Sequence, residues 1–149
     1  MKEVSKTSRP IEILLVEDNP GDVFLTKKAF ETGKIANNMQ VATNGEMALE
    51  MLKKEGDFSE CITPDIILLD LNLPKMDGRE VLESIKDDEE LKRIPVVILT
   101  SSNAERDIVA SYNLHANSYI VKPVDFNKFT EIVDSIENFW FTIVVLPEQ

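Results

Sequence analysis

Three short aliphatic runs constrain this chain most: Ile11-Glu12-Ile13-Leu14-Leu15-Val16, Ile66-Ile67-Leu68-Leu69 and Val96-Val97-Ile98-Leu99. Each has the length of a strand. The last two lack the apolar–polar alternation of a sheet with one wet face, so they predict strands buried on both sides. Strands of that kind sit in parallel sheets, and a parallel sheet needs a crossover, usually helical, between neighbours. The intervening sequence supplies such crossovers. Asn19-Pro20-Gly21-Asp22 carries turn and helix-start chemistry, and Val23, Leu25, Ala29 and Phe30 give an apolar helical face that Gly33 closes.

Met39 to Thr43 alternates as a second strand, Asn44-Gly45 turns the chain, and Met47, Ala48, Met51 and Leu52 recur at helical spacing. The third strand runs from Asp65 to Leu69. Val81, Leu82 and Ile85 mark a helix after Gly78, and Pro95 precedes the fourth strand. Asn103 to Tyr112 reads as a helix, Ser118 to Val121 as a fifth strand, and Phe126, Phe129, Ile132, Val133 and Ile136 as the apolar side of a last helix. The expected fold is therefore α/β, a doubly wound parallel sheet of flavodoxin-like (βα)5 type with strand order 2-1-3-4-5. Residues 1–10 read as a lead-in, 11–138 as the folded domain, and 139–149 as an apolar C-terminal extension.

A chain of 149 residues suits one domain. Its 16 Lys and Arg against 27 Asp and Glu leave a formal charge of -11, which repels nucleic-acid phosphates and anionic lipid. Neither is expected as a partner. With one cysteine, Cys61, and one histidine, His115, an intrachain disulfide and a Cys/His metal site are excluded, and neither residue is assigned a role. Met1 to Pro10 lacks the apolar segment of a signal peptide, and Phe139 to Leu146 falls far short of the roughly 20 residues that span a bilayer. A cytoplasmic protein is expected.

In an open parallel sheet, ligands bind beyond the carboxyl ends of the strands, where the strand order reverses. Glu17-Asp18 ends the first strand and Asp70 ends the third, so three carboxylates should meet at one rim. Crowded carboxylates raise one another's pKa unless a cation compensates them. Oxygen ligands with no soft donor nearby suit Mg²⁺, for which Mn²⁺ can substitute, and Mg²⁺ commonly also takes a phosphate oxygen. The fourth strand ends at Thr100-Ser101-Ser102 and the fifth at Lys122, adding hydroxyls and an ammonium. A carboxylate nucleophile, a metal, a hydroxyl and a lysine are the parts needed to form an aspartyl phosphate.

Glu17-Asp18, Asp70 within LLDLNLPKMDG, Thr100 after VVILT, and Lys122-Pro123 occur in that order, each at a strand end. In this the chain resembles response-regulator receiver domains of two-component signalling, from about Ile11 to Glu137. The resemblance implies that Asp70 accepts a phosphoryl group from the phosphohistidine of a sensor histidine kinase. It implies Asp18 as a direct Mg²⁺ ligand, Glu17 as one acting through water, and Asn72 as a ligand through its backbone carbonyl, its side chain facing the phosphoryl site. Lys122 would bind a phosphoryl oxygen, before a cis bond to Pro123. Thr100 and Tyr119 would form the switch pair that alters the face made by the fourth helix, fifth strand and fifth helix. The chain departs from the family at Leu114-His115-Ala116-Asn117, where a Gly-Ala pair is usual.

VEDNPGD, KIANN and NFWFTIVVLP make the chain similar to stand-alone receivers that include cyanobacterial phytochrome response regulators. That likeness implies a phytochrome-like kinase. The apolar tail points to a homodimer built on the switch face and residues 139–149. No residues remain for a DNA-binding or catalytic output domain, so a phosphoacceptor rather than a turnover enzyme is expected. Competing readings fit less well. A flavodoxin-type redox protein needs a glycine- and hydroxyl-rich loop where this chain has Glu17-Asp18-Asn19-Pro20. An aspartate phosphatase wants a second acid where Asn72 stands. A phosphorylation-independent interaction module, or a phosphate sink or relay intermediate, is the remaining alternative.

Overall fold

Side-chain burial explains the layering. The computed structural model describes residues 9–33, 35–110, 116 and 118–134. Its elements are β1 (Ile11–Val16), α1 (Pro20–Glu31), β2 (Asn37–Ala42), α2 (Gly45–Lys53), β3 (Ile66–Asp70), α3 (Gly78–Asp87), β4 (Val96–Thr100), α4 (Asn103–Ala110), β5 (Ser118–Val121) and α5 (Phe126–Asp134), with 3-10 turns at Gly56–Phe58 and Leu91–Arg93. All strands are parallel, in the order β2-β1-β3-β4-β5. Every residue of β3 and β4 is buried, as their unbroken apolar sequences require.

Alternate strand residues feed two cores. Leu14, Val16, Ile67, Leu69, Val96 and Ile98 pack with Ala48, Leu52, Val81, Ile85 and Val109 from α2, α3 and α4. Ile13, Leu15, Ile66, Leu68, Val97, Leu99 and Ile120 pack with Phe30 of α1 and Phe129 and Val133 of α5. The Phe30 ring meets Phe126 and Phe129 edge-on at 5.5 and 4.7 Å, which joins α1 to α5.

The helix starts are those written in the sequence. Asn19 and Asn44 cap α1 and α2 through their side chains, and Asp77 with Glu80 forms a capping box on α3. Strand boundaries move by one or two residues, and β3 and β4 each run one residue further, to Asp70 and Thr100. β2 begins at Asn37 because the whole segment pairs with β1, from Ile11↔Asn37 to Val16↔Ala42. The polar start is held by side chains, Asn37 donating to the Phe30 and Ile35 carbonyls and Asn38 to Glu12. β3 begins one residue later than expected, since Asp65 turns aside to take both Arg9 nitrogens and the Glu12 N–H.

Gly78 matters for the site. A Cβ there would lie 2.7 Å from the Asp70 carbonyl oxygen and 2.6 Å from the Leu71 Cα, so only glycine lets α3 start against the end of β3. The expected helix end at residues 111–112, the loop 114–117 except for half-buried Ala116, and the extension 139–149 with its dimer contact lie outside the described residues. Among the described residues, no helix is long and apolar enough to cross a membrane.

Candidate functional site

Register brings the strand ends together. Val16 lies beside Leu69, Asp70 beside Leu99, and Thr100 beside Val121. The next residues of β1 and β5 are Glu17 and Lys122, so the rim collects acids, a hydroxyl and a lysine although they are far apart in sequence. Glu17 and Asp70 are buried, and Asp18 is exposed beside them. Carboxylate oxygens of Glu17, Asp18 and Asp70 lie within 4.8 Å of one another.

Lys122 is the cation at the centre. Its Nζ donates to Glu17 at 3.2 Å, Asp70 at 3.0 Å and Asp22 at 2.9 Å. Burial on its own would lower the ammonium pKa, but bonds to Asp22, Asp70 and Glu17 and the charge of Asp70 raise it well above the ordinary lysine value. Its backbone N–H donates to the Thr100 carbonyl at 2.8 Å, which locks the two strand ends in step. The Lys122–Pro123 peptide bond is cis.

Glu17 has the opposite problem. Burial first, and then the neighbouring Asp70 carboxylate, push its pKa up to about 7, against the pull of the Asn19 N–H and Lys122. One ammonium thus faces three touching carboxylates, with Asp18 a fourth acid alongside. All donors are oxygens, negative charge is in excess, and one carboxylate is held towards its neutral form. That donor set fits a hard divalent cation.

In the metal-free protein the sign of the pH effect follows from the raised Glu17 pKa. Its stabilising contribution is complete below the unfolded value of about 4.5 and disappears as pH rises through about 7. Urea unfolding in EDTA should show stability falling across that window, and Glu17→Gln should remove this part of the slope. An unchanged slope in the variant would refute the assignment.

Thr100 is fully buried, and among the described residues its Oγ1 makes long contacts, 3.4 Å to each of the Ser102 and Ile120 carbonyls. Tyr119 is half-buried against the core on the α3 side of the sheet. Asn72 sits beside the cluster, its N–H donating to Asp70 Oδ1 at 2.9 Å. Its side-chain Nδ2 donates to Glu105 of α4 at 3.0 Å, a contact the resemblance did not imply.

Two site residues escape a reading from sequence. Asp22 reads as helix-start chemistry, yet it makes the shortest contact to Lys122. The available signal was its place on the first turn of the helix that leaves the same strand end as Glu17 and Asp18. Glu105 gave no signal, since an acid in a first helical turn is ordinary.

The fold agrees with independent comparisons. The family model described as "Response regulator receiver domain" matches residues 13–134. The chain belongs to this family. Response regulator Rcp1 of Synechocystis sp. is 43% identical over 142 residues, covering 95% of this chain and 97% of Rcp1. The solved Mn²⁺-bound form of Rcp1 superposes with a TM-score of 0.70 at 44% identity, over 93% of this chain and 100% of that one. The bacteriophytochrome response regulator AtBRR gives a TM-score of 0.82 at 42% identity, over 95% and 99% of the two chains. The phosphorylated cyanobacterial phytochrome response regulator RcpA gives 0.71 at 44%, over 94% and 100%. A receiver of two-component signalling is what the matched region and the fold establish.

Proposed function

We propose that this receiver carries a phosphoryl group on Asp70, taken from the phosphohistidine of a sensor histidine kinase. The observation that carries the reading is Lys122 Nζ held by Asp70, Glu17 and Asp22 beside the acid cluster. In the reaction an Asp70 oxygen forms a bond to phosphorus as the phosphorus–nitrogen bond to imidazole breaks and its electron pair returns to the ring. Lys122 offsets charge on the phosphoryl oxygens as a point charge, and the Asn72 N–H orients Asp70. Glu17, Asp18, Asp70 and the Asn72 carbonyl would hold Mg²⁺ or Mn²⁺, which supplies charge neutralisation at the transferring oxygens.

Thr100, held by long contacts among the described residues, turns to the phosphoryl group, and Tyr119 follows it. The change passes to the α4-β5-α5 face and alters protein contacts. The protein works as a phosphoacceptor, not as a turnover enzyme, in the cytoplasm. The phosphorylated RcpA and bacteriophytochrome regulators among its relatives favour a phytochrome-like kinase.

The test is intact-protein mass spectrometry after incubation with acetyl phosphate and Mg²⁺, with a gain of one phosphoryl group expected. A homodimer through the switch face and the residue 139–149 extension is part of the same proposal. Sedimentation should give a dimer that is lost when those residues are deleted. A monomer in the full chain, with and without beryllofluoride, would refute the dimer.

A further inference from the structure

Glu105 ties together the two loops that flank Asp70. Its Oε1 takes the Ser101 N–H at 2.6 Å and its Oε2 takes the Asn72 side-chain amide at 3.0 Å. Its own N–H donates to Ser102 Oγ at 3.1 Å, which fixes the first turn of α4 on the loop after β4. One carboxylate thus joins the loop after β3 to the loop after β4. Both loops begin at the site. Asn72 also holds Asp70 through its N–H, and Ser101 follows Thr100 directly.

These donors are the ones a phosphoryl group on Asp70 would seek. Such a group brings about two negative charges and three strong acceptor oxygens to the space between the same two loops. An anion already bound there competes for the donors and repels the newcomer. A cleft of about 380 Å³ opens beside Glu105, lined by Leu71, Asn72, Asp77, Arg79, Ile108 and Val109. The carboxylate therefore has room to leave, towards a wall that includes a guanidinium.

We infer that Glu105 is a positioning residue, a latch that holds the Asn72 side chain and the Ser101 N–H in the resting arrangement and releases them when Asp70 is phosphorylated. The inference rests on the Asp70 reading above. It makes the receiver's resting state a property of one side chain on α4, outside the metal and phosphoryl machinery.

The test titrates beryllofluoride with Mg²⁺ into the full chain by calorimetry and follows the Asn72 side-chain amide by ¹⁵N NMR. Glu105→Ala should bind beryllofluoride about tenfold more tightly than wild type, the effect of freeing one charge-assisted donor. Glu105→Gln keeps an acceptor for Ser101 but removes the charge, so it should fall between the two. In wild type the Asn72 amide resonance should shift on titration. In Glu105→Ala it should start displaced towards the bound position.

Equal or weaker binding by Glu105→Ala with an unmoved Asn72 amide would overturn the latch. If Glu105→Ala fails to fold, Glu105→Gln decides by the same criteria. Failure of the Asp70 reading looks different: wild type and Asp70→Asn would then be alike in showing no beryllofluoride binding, and the latch would fall with it.

Discussion

Treated with acetyl phosphate and Mg²⁺, wild-type protein gains one phosphoryl group and Asp70→Asn gains none. The expected loss is complete, because the amide has nearly the shape of the carboxylate but no anionic oxygen with which to attack phosphorus. The variant should stay folded. An amide oxygen at the Oδ1 position still accepts the Asn72 N–H, and removal of a charge at the rim relieves Glu17, whose pKa Asp70 helps to raise. Intact mass and a urea titration of both proteins check the two halves together. Labelling of folded Asp70→Asn at the wild-type level would place the phosphoacceptor elsewhere.

The second large effect concerns Lys122. Replacing it with Met keeps most of the stem and removes the charge that touches Glu17, Asp22 and Asp70. Glu17 and Asp70 are 1% and 2% exposed, so water cannot take over the role of the ammonium. Leaving buried charge without its partner costs about 3 kcal/mol. Metal-free Lys122→Met should lose about that much stability near neutral pH, measured by urea unfolding in EDTA. Millimolar Mg²⁺ should restore part of it, since a divalent ion supplies the missing positive charge. Acetyl phosphate labelling should also slow, because no ammonium then meets the phosphoryl oxygens. Wild-type stability in EDTA would show that the three contacts carry no net energy.

The two variants separate roles that meet at one ammonium. Asp70→Asn removes the nucleophile while leaving Lys122 with Glu17 and Asp22. Lys122→Met leaves the nucleophile but strips its electrostatic support. A signalling site needs both: a carboxylate kept reactive in a dry setting, and charge balance that survives each change of state.

Much of this was legible in the chain itself. The aliphatic runs of β3 and β4 dictated burial on both faces, and burial on both faces dictated a parallel sheet with helices on each side. From that sheet the place of Glu17, Asp18, Asp70, Thr100 and Lys122 followed, since strand ends at the switch point share one rim. The edge strand β2 was less legible. Its Asn37 and Asn38 look like loop residues until Phe30, Ile35 and Glu12 are seen to satisfy their amides.

Sequence by itself determined which strands exist, their order and which strand-end acids share a rim with Lys122, because local hydrophobic period and strand-end position are properties of the chain. Only the tertiary structure decided that Asp22 shares Lys122 and that Glu105 takes the Asn72 side-chain amide. Those contacts join helices to loops over long separations, where the direction of a side chain depends on packing that no local pattern encodes.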